Sequence, residues 1–426
     1  MKIVQVIENF FPNSIGGTET YVLNVAKNFI SEGHEVHVVA PSVSGAKKYN
    51  YDGINVHRYP LNFNASKQHF KGLVPPPSLN AFIDILNIIK PDIIHFNTLN
   101  RIVNTWNLKA AKNLGSKVFL TPHISSIFCA TSTLVDGEGK ICDGVVYKHD
   151  CVSCYNKKFK RKRLTTFALK ALSELSNVSF LLNLLPPTSL VKYTRTTELK
   201  TIAECTDGVI ALSPWIKRTL AANGVKNIYL VPQGISSIIT PDKPQTNNNE
   251  LLKLIYVGRI FPIKSLETLC DALDQMDENR FKLTIVAICG EDEYAQKIKR
   301  RFLSYKNLDW YENVSQTDLG KHLSNQDFLV LPSISEMSPL VILEAFACGI
   351  PVIASDIPPM SDNIFDGKNG RLFPIRDSEK LAKILEEYIH NPDLKLNLKN
   401  GIIKPPTFVE VSKNLLEIYS KQPSNE

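Results

Sequence analysis

The sequence predicts an α/β protein made of two doubly wound, Rossmann-like domains. At 426 residues the chain is too long for a single hydrophobic core. Its first half alternates strand-like apolar runs with amphipathic stretches such as Thr20 to Ser31, which is typical of a parallel sheet covered by helices. The alternation restarts at Leu251, after a polar segment at 240–250 that contains two prolines. We therefore predict domains at 1–238 and 239–406.

Six runs of the first half are predicted to be strands, because each is short, apolar and rich in β-branched or aromatic residues. They are Ile3 to Ile7, Glu35 to Ala40, Asp92 to Phe96, Lys117 to Leu120, Gly208 to Leu212 and Asn227 to Val231.

The charge balance narrows the classes of partner. Lys and Arg number 49 against 42 Asp and Glu, a net charge of +7 that suits a diphosphate or an anionic membrane surface but is too diffuse to indicate nucleic acid. The start of the chain has no signal-peptide h-region, and no run of about 18 apolar residues follows. We expect a cytoplasmic protein with reduced thiols.

One helix has unusually clear start and stop signals. Ser338 is a good N-cap, Pro339 suits the first helical position and Gly349 suits C′, so a helix is predicted over Pro339 to Cys348. The apolar run 327–332 before it is typical of a buried strand. The loop between strand and helix thus leaves the carboxyl end of a strand and enters the positive end of a helix, where anions bind in open α/β sheets.

Two carboxylates flank the start of this helix. Glu336 lies in the loop, and Glu344 is the only charge among the apolar residues of the helix. A carboxylate there is costly to bury unless it is hydrogen-bonded, and the hydroxyls of a ribose would satisfy it. A core ion pair with a Lys or Arg is the alternative for Glu344.

The segment Ser335 to Pro351 resembles the Glu-x7-Glu motif of retaining glycosyltransferases with the GT-B fold, those of glycosyltransferase family four. Ala345 to Ser355 resembles the helix, turn and strand that follow in that family, and Asp366 to Phe373 resembles its glycine turn. Asp356 to Ser361 departs from the family, because it lacks the expected glycine and glutamate.

This resemblance implies a GT-B architecture, with the two domains facing each other across a cleft. It implies that 1–238 is the acceptor-side domain, that a last helix at 407–426 crosses back to it, and that 239–406 binds a nucleotide-sugar donor. Glu336 would contact the hydroxyls of the transferred sugar and Glu344 those of the nucleotide ribose. Ser338, Pro339 and Leu340 would present the start of the helix to the donor.

A second motif opens the later domain. Leu254 to Val257 is predicted to be a buried strand that ends at Gly258, followed by Arg259, with Lys264 opening the next helix. Two cations at the carboxyl end of a strand can hold a diphosphate, whereas in isolation they would more often be solvated loop residues. The Gly-Arg-x4-Lys spacing resembles the phosphate clamp of the family.

Two features of the first domain follow its predicted strands. Gly16 and Gly17 would let the backbone approach a phosphate or sugar, although a plain tight turn is equally compatible with them. Their position resembles the glycine-rich loop of the family. His123 follows the strand Lys117 to Leu120. A lone histidine is more often structural, but the resemblance implies a catalytic contact near the transferring sugar.

The expected chemistry needs no metal. The chain has no Asp-x-Asp sequence, and Arg259, Lys264 and the helix start at Leu340 could neutralise the leaving diphosphate instead. The family implies retention of the anomeric configuration, with the leaving phosphate helping to receive the proton of the acceptor. No catalytic cofactor is expected beyond the donor substrate.

Four cysteines, Cys129, Cys142, Cys151 and Cys154, fall within 26 residues. In a reducing compartment they indicate a structural metal site, with tetrahedral zinc favoured over an iron–sulfur cluster. A disulfide and unrelated free thiols are the alternatives. The site would hold a loop outside the chemistry.

A basic cluster of six cations follows at 157–163, and a leucine-rich segment lies at 167–190. The pattern is typical of an interfacial contact with an anionic membrane, and equally of a solvated charge run leading into a covering helix. The membrane interpretation favours a lipid-linked acceptor and a peripheral location on the inner face of the cell membrane.

The resemblance implies a hexosyltransferase that moves a sugar from a nucleotide diphosphate to a glycan acceptor in surface polysaccharide biosynthesis. The alternative is a non-catalytic GT-B subunit that binds a partner or a membrane. An epimerase or phosphorylase of similar fold is a third candidate.

Overall fold

The computed structural model describes residues 1–14, 16–61, 69, 72–160, 163–174, 185–186, 188–236 and 251–421. It divides into two compact units. Unit 1 comprises Met1–Gln233 with Phe408–Glu426, and unit 2 comprises Gly234–Thr407.

Unit 1 is built on a sheet of eight strands. They are β1 Lys2–Val6, β2 Glu35–Ser42, β3 Lys47–Tyr51, β4 Ile54–Pro60, β5 Ile93–Phe96, β6 Lys117–Leu120, β7 Gly208–Ala211 and β8 Ile228–Leu230. Their order is β3-β4-β2-β1-β5-β6-β7-β8, and every pairing is parallel except that of β3 with β4. The order reverses at β1, so the ends of β1 and β5 border the crevice in which such sheets bind ligands.

Helices of unit 1 follow the strands in the βα rhythm. They are α1 Gly17–Ser31, α2 Leu79–Ile89, α3 Thr105–Asn113, α4 Cys151–Lys158, α5 Arg163–Glu174, α6 Val191–Cys205 and α7 Pro214–Ala222. The central strands are mainly apolar because helices cover the sheet: Ile3, Val4 and Val6 of β1 are completely buried.

Unit 2 repeats this plan with six parallel strands. They are β9 Leu252–Arg259, β10 Phe281–Ile288, β11 Leu308–Glu312, β12 Phe328–Leu331, β13 Val352–Ser355 and β14 Gly370–Phe373. Their order is β11-β10-β9-β12-β13-β14. The order reverses between β9 and β12, which places the crevice of this sheet beside the loops that follow those two strands.

Seven helices accompany this sheet in the described part of unit 2. They are α8 Leu266–Leu273, α9 Glu293–Phe302, α10 Gln316–Ser324, α11 Leu340–Ala347, α12 Pro358–Ser361, α13 Ser378–His390 and α14 Leu394–Asn400.

The last helix, α15 Phe408–Ser420, belongs to unit 1. Its Tyr419 is 1% exposed, lies 4.8 Å from the ring of Phe119 and hydrogen-bonds through Oη to Nδ1 of the buried His95. Lys117 Nζ donates to the backbone oxygens of Tyr419 and Lys421, both at 2.9 Å, which satisfies the carbonyl end of the helix. The last turn of α15 is thus part of the core of unit 1.

The six predicted strands are confirmed, with ends shifted by at most two residues. The hairpin β3–β4 was not predicted, because β3 reads Lys-Lys-Tyr-Asn-Tyr and an edge strand need not be apolar. Its turn, Asp52-Gly53 with φ of 50° and 85°, is the Asp-Gly signal that would have revealed it.

The polar segment predicted as a linker at 240–250 lies outside the described residues. Within the described ranges, the helices are all too short or too polar to cross a bilayer.

Replacing Tyr419 by Ala should destabilise the protein by about 3–5 kcal/mol, because a buried ring is lost at the joint between α15 and the sheet. Val409→Ala on the same helix is the control: Val409 is 44% exposed, and its loss should cost at most about 0.5 kcal/mol. Urea denaturation measures both. Equal losses in the two variants would contradict the placement of α15 in the core.

Candidate functional site

The loop after β9 begins later than the sequence predicted. Gly258 and Arg259 lie within the strand, because pairing with β10 continues to Ile288 opposite Arg259. A side chain at Gly258 would be strained by its φ of 153°, and a Cβ there would lie 2.9 Å from Tyr256 Oη, which donates to Arg259 O at 2.8 Å. This hydrogen bond holds the backbone of Arg259 at the end of β9, and the side chain of Arg259 is exposed.

The prediction that Lys264 opens the next helix is wrong. It ends the 3₁₀ turn Pro262–Lys264, and α8 begins only at Leu266 after Ser265, whose φ of 49° breaks the helical path.

Lys264 and Glu336 form an ion pair at the crevice of unit 2. Lys264 Nζ contacts Glu336 Oε1, and Ser333 Oγ donates to the same oxygen at 2.8 Å. The two loops are also joined through their backbones, since Ile334 N donates to Ile263 O at 2.9 Å. The side chains of the pair are only 23% and 12% exposed, so water screens their attraction less than in a surface pair.

The ion pair also affects the hydroxyl of Tyr256 in β9. Burial raises the pKa of Tyr256 well above its usual value, and the nearby negative charge of Glu336 adds to the effect. Tyr256 is therefore a neutral hydroxyl that holds the end of β9 by its hydrogen bond to Arg259 O.

The helix α11 begins one residue later than predicted. Pro339, with ψ of 109°, is the N-cap, and no side chain caps the helix, so the prediction of Ser338 as N-cap is wrong. The reason is that Pro339 O already accepts the first helical bond, from Ile342 N at 3.2 Å, while its own backbone stays extended. The first N–H groups of α11 are consequently left without a side-chain cap.

The end of α11 confirms the predicted stop. Gly349 has φ of 70°, its N–H bonds to Phe346 O at 3.0 Å, and Ile350 N bonds to Ala345 O at 2.9 Å, which together form a Schellman motif. Glu344, in the middle of α11, is 7% exposed. Its role toward a ribose stays a prediction.

The glycine loop of unit 1 is occupied by a carboxylate of the chain itself. Gly16 is the N-cap of α1 and Gly17 its first residue, so the helix starts three residues earlier than predicted. A Cβ on Gly16 would lie 2.7 Å from Glu19 Oε2, and Ser14 Oγ donates to Glu19 Oε1 at 2.7 Å. A phosphate at this point would meet a negative charge, whereas sugar hydroxyls could donate to it.

A second carboxylate at the crevice of unit 1 was missed. Glu8 follows β1 and accepts a hydrogen bond from Asn100 Nδ2, which follows β5. Burial raises the pKa of Glu8, the bond from Asn100 partly offsets this, and the charge of Glu19 adds to the rise. Polar residues within four positions of the ends of two neighbouring strands were the available signal.

His123 is held as a neutral ring. It lies 4.6 Å from the ring of Tyr21, and its Nε2 is buried with no hydrogen-bond partner among the described residues. Burial lowers the pKa of His123 to about 3, because the charged imidazolium would lose its hydration. The ring can thus exchange hydrogen bonds with a ligand, but it carries no charge at neutral pH.

The four clustered cysteines line one cavity, together with His149. Among the described residues, the metal-competent atoms that all lie within 4.8 Å of one another are those of Cys142, Asp143 and His149, of which the last two were not predicted. Burial raises the pKa of Cys142 to about 11 and that of Cys151 to about 12, with neighbouring thiolates adding to the rise. The metal site of Cys129, Cys142, Cys151 and Cys154 stays a prediction.

Part of the basic cluster is already engaged within the protein. Lys157 Nζ pairs with Glu138 at 2.9 Å, and Lys158 Nζ donates to Thr133 Oγ1. Arg161 and Lys162, like residues 175–184 and 187 of the leucine-rich segment, lie outside the described residues.

Comparisons with known proteins agree with the fold. The family model described as glycosyl transferases group 1 matches residues 239–404, and that of Glycosyltransferase Family 4 matches residues 15–137. Together the two matches support a glycosyltransferase of the group 1 and family 4 type. The second match ends before three of the clustered cysteines.

Individual relatives match only part of the chain, at low sequence identity. An uncharacterised glycosyltransferase of Methanocaldococcus jannaschii is 29% identical over 199 residues, which is 46% of this chain and 53% of that protein. The chain thus spans about half the length of this curated relative.

Two solved structures cover nearly the whole chain. Anabaena HepE, solved with UDP and glucose, has a TM-score of 0.67 at 15% identity and covers 99% of both chains. Sucrose-phosphate synthase of Thermosynechococcus elongatus has a TM-score of 0.70 at 19% identity and covers 98% of both. They establish the GT-B fold of two Rossmann-like domains.

A double-mutant cycle on Lys264→Met and Glu336→Gln should give a coupling energy of about 0.5–3 kcal/mol in unfolding experiments, because each single change leaves a poorly hydrated polar partner. The matched control is Lys282 with Asp309, a pair at 2.8 Å in the same unit whose side chains are 42% and 38% exposed. Its coupling should stay below about 1 kcal/mol. Equal coupling in the two cycles would contradict the special environment of the first pair.

His123 should remain neutral in solution from pH 8 down to pH 5, since burial lowers its pKa to about 3. The ring nitrogen chemical shifts of His123, assigned through a His123→Gln variant, should stay constant over that range. A titration midpoint near 6.5, the ordinary histidine value, would show that the ring is solvated.

Proposed function

We propose that this chain, whose two units match models of group 1 and family 4 glycosyltransferases, transfers a hexose from a nucleotide diphosphate to a glycan acceptor with retention of configuration. The observation that carries the proposal is the Lys264–Glu336 ion pair at the crevice of unit 2. It joins a cation suited to phosphate with a carboxylate suited to sugar hydroxyls, on the two loops where such a sheet binds its ligand.

Donor binding would work by exchange of partners. The diphosphate carries more charge than one carboxylate, so it can take over Lys264 while Arg259 supplies a planar fork to its oxygens. Glu336 is then released, and both of its oxygens can accept hydrogen bonds from the hydroxyls of the sugar. The uncapped N–H groups of α11, starting at Leu340, add donors for the phosphate.

The same groups would assist departure of the nucleotide. Negative charge develops on the diphosphate as the sugar bond breaks, and Arg259, Lys264 and the start of α11 stabilise it without a metal ion. Glu344 would hold the ribose. His123, being neutral, would orient a sugar hydroxyl through a hydrogen bond and leave the proton of the acceptor to the leaving phosphate.

The acceptor is proposed to be a hydroxyl-rich glycan. Glu8 and Glu19, at the crevice of unit 1, favour ligands that donate hydrogen bonds over ligands that carry phosphate there. A lipid-linked glycan of surface polysaccharide biosynthesis fits the basic cluster at 157–163, whose remaining cations could contact an anionic membrane. Anabaena HepE, which was solved with UDP and glucose, supports the class of donor.

A panel of nucleotide diphosphate sugars, screened by thermal stabilisation, should identify a donor, because a ligand that binds only the folded state raises the melting temperature. With that donor, Arg259→Ala should weaken binding of the nucleoside diphosphate by about 1.5–3 kcal/mol in calorimetry. Glu336→Gln should lose sugar transfer while remaining folded.

Arg280→Ala is the matched control, since Arg280 is also exposed but precedes β10 at the opposite edge of the same sheet. The Arg280→Ala variant should bind the nucleoside diphosphate as tightly, and transfer sugar as fast, as the unmodified protein. Full turnover in Glu336→Gln, or no stabilisation by any nucleotide sugar, would instead favour a non-catalytic subunit.

A further inference from the structure

We propose that unit 1 holds one structural Zn²⁺ ion, bound by the thiolates of Cys129, Cys142, Cys151 and Cys154. The inference is independent of the proposed transfer reaction. All four side chains line one cavity of unit 1, and each is an unpaired thiol. Four cysteines are the ligand set of a closed, tetrahedral zinc site, and these four lie in two chain segments that border the same cavity.

The backbone is shaped to bring these segments together. Val135 and Ile141 pair in a short antiparallel bridge, so that Cys142 leaves this hairpin beside the first turn of α4. A Cβ at Gly137 of the hairpin would lie 2.5 Å from Lys157 Cβ and 3.1 Å from Cys154 O. The close approach of the hairpin to α4 thus requires glycine there.

The first turn of α4 presents the other half of the site. Cys151 and Cys154 are three residues apart and therefore lie on one face of the helix. Asp150 caps this turn by accepting from Ser153 N at 3.1 Å, which leaves the cysteine side chains free of the capping role.

Backbone N–H groups and lysine side chains surround the sulfurs. The backbone N–H groups of Thr133, Gly144 and Gly137 donate to the sulfurs of Cys129, Cys142 and Cys154 respectively. Lysines near the cluster, among them Lys158 and Lys192, offset part of the negative charge that four thiolates would bring to one ion. Hydrogen bonds of this kind orient ligands and hold them for a metal.

His149 is the competing ligand, because it lies within 4.8 Å of the Cys142 sulfur together with Asp143. Its Nε2 is already hydrogen-bonded to Asp143 Oδ1 at 2.6 Å, and its side chain is 43% exposed. We therefore place it at the rim of the site and assign the four coordination positions to sulfur. Thiolates select Zn²⁺ over Mg²⁺ or Ca²⁺, which prefer oxygen.

Elemental analysis of the full chain, purified without chelator, should find about one zinc per molecule. Cys142→Ser should lose most of that zinc and lower the melting temperature. Cys205→Ser is the matched control, a thiol of the same unit outside the cavity, and should keep both. His149→Ala should also keep its zinc, because it is not a ligand in this assignment.

A second measurement on the unmodified protein avoids dependence on a folded variant. Zinc is removed by a chelator and Co²⁺ is added, and the expected spectrum has the sulfur-to-cobalt charge-transfer band and the visible bands of tetrahedral coordination by four thiolates. Iron with inorganic sulfide, absence of metal together with no cobalt–thiolate band, or loss of zinc in His149→Ala but not in Cys129→Ser would each overturn the proposal.

Discussion

Parallel pairing of the strands is the constraint on which the candidate site depends. Because β9 and β12 are parallel neighbours, the loops that follow them must emerge at the same edge of the sheet of unit 2. The helices that return each strand to the opposite edge leave the point between β9 and β12 uncovered. Arg259 is the last residue of β9, and Lys264 and Glu336 lie on the two loops. Arg259 and Glu336 are more than seventy residues apart in sequence. Gly258 and Tyr256 fix where the first loop starts, and the Schellman motif at Gly349 fixes where α11 stops.

The ion pair at this point stabilises the site before any ligand arrives. Lys264 and Glu336 are too poorly hydrated to be left without partners, so each satisfies the other. A neutral ligand would gain little by separating them, whereas a diphosphate sugar offers a stronger anion to the lysine and hydroxyl donors to the glutamate. In the proposed function, the pair therefore selects for a ligand with both kinds of group. The crevice of unit 1 differs in character, because Glu8 and Glu19 provide carboxylate acceptors and His123 an uncharged ring.

Much of the fold could be predicted from sequence because apolar runs of four to six residues were separated by helical stretches, which only a parallel sheet covered by helices accommodates. The edge hairpin β3–β4 was missed since a polar edge strand lacks that pattern. The motifs around Glu336 and Lys264 were recognisable, but their ion pair depends on side-chain positions set by tertiary contacts between loops. Glu19 over Gly16, and His149 beside the cysteines, were likewise invisible because local spacing does not show which side chain occupies a turn or cavity.

A structure of the chain with a bound nucleoside diphosphate tests the exchange of partners most directly. The account predicts that a phosphate oxygen lies about 2.7–2.9 Å from Lys264 Nζ, the distance of a charge-assisted hydrogen bond, and that Glu336 has turned away from the lysine. Contacts from Arg259 and from the first N–H groups of α11 should complete the site. A nucleotide bound elsewhere, or bound in unit 2 with the Lys264–Glu336 pair intact, would contradict it.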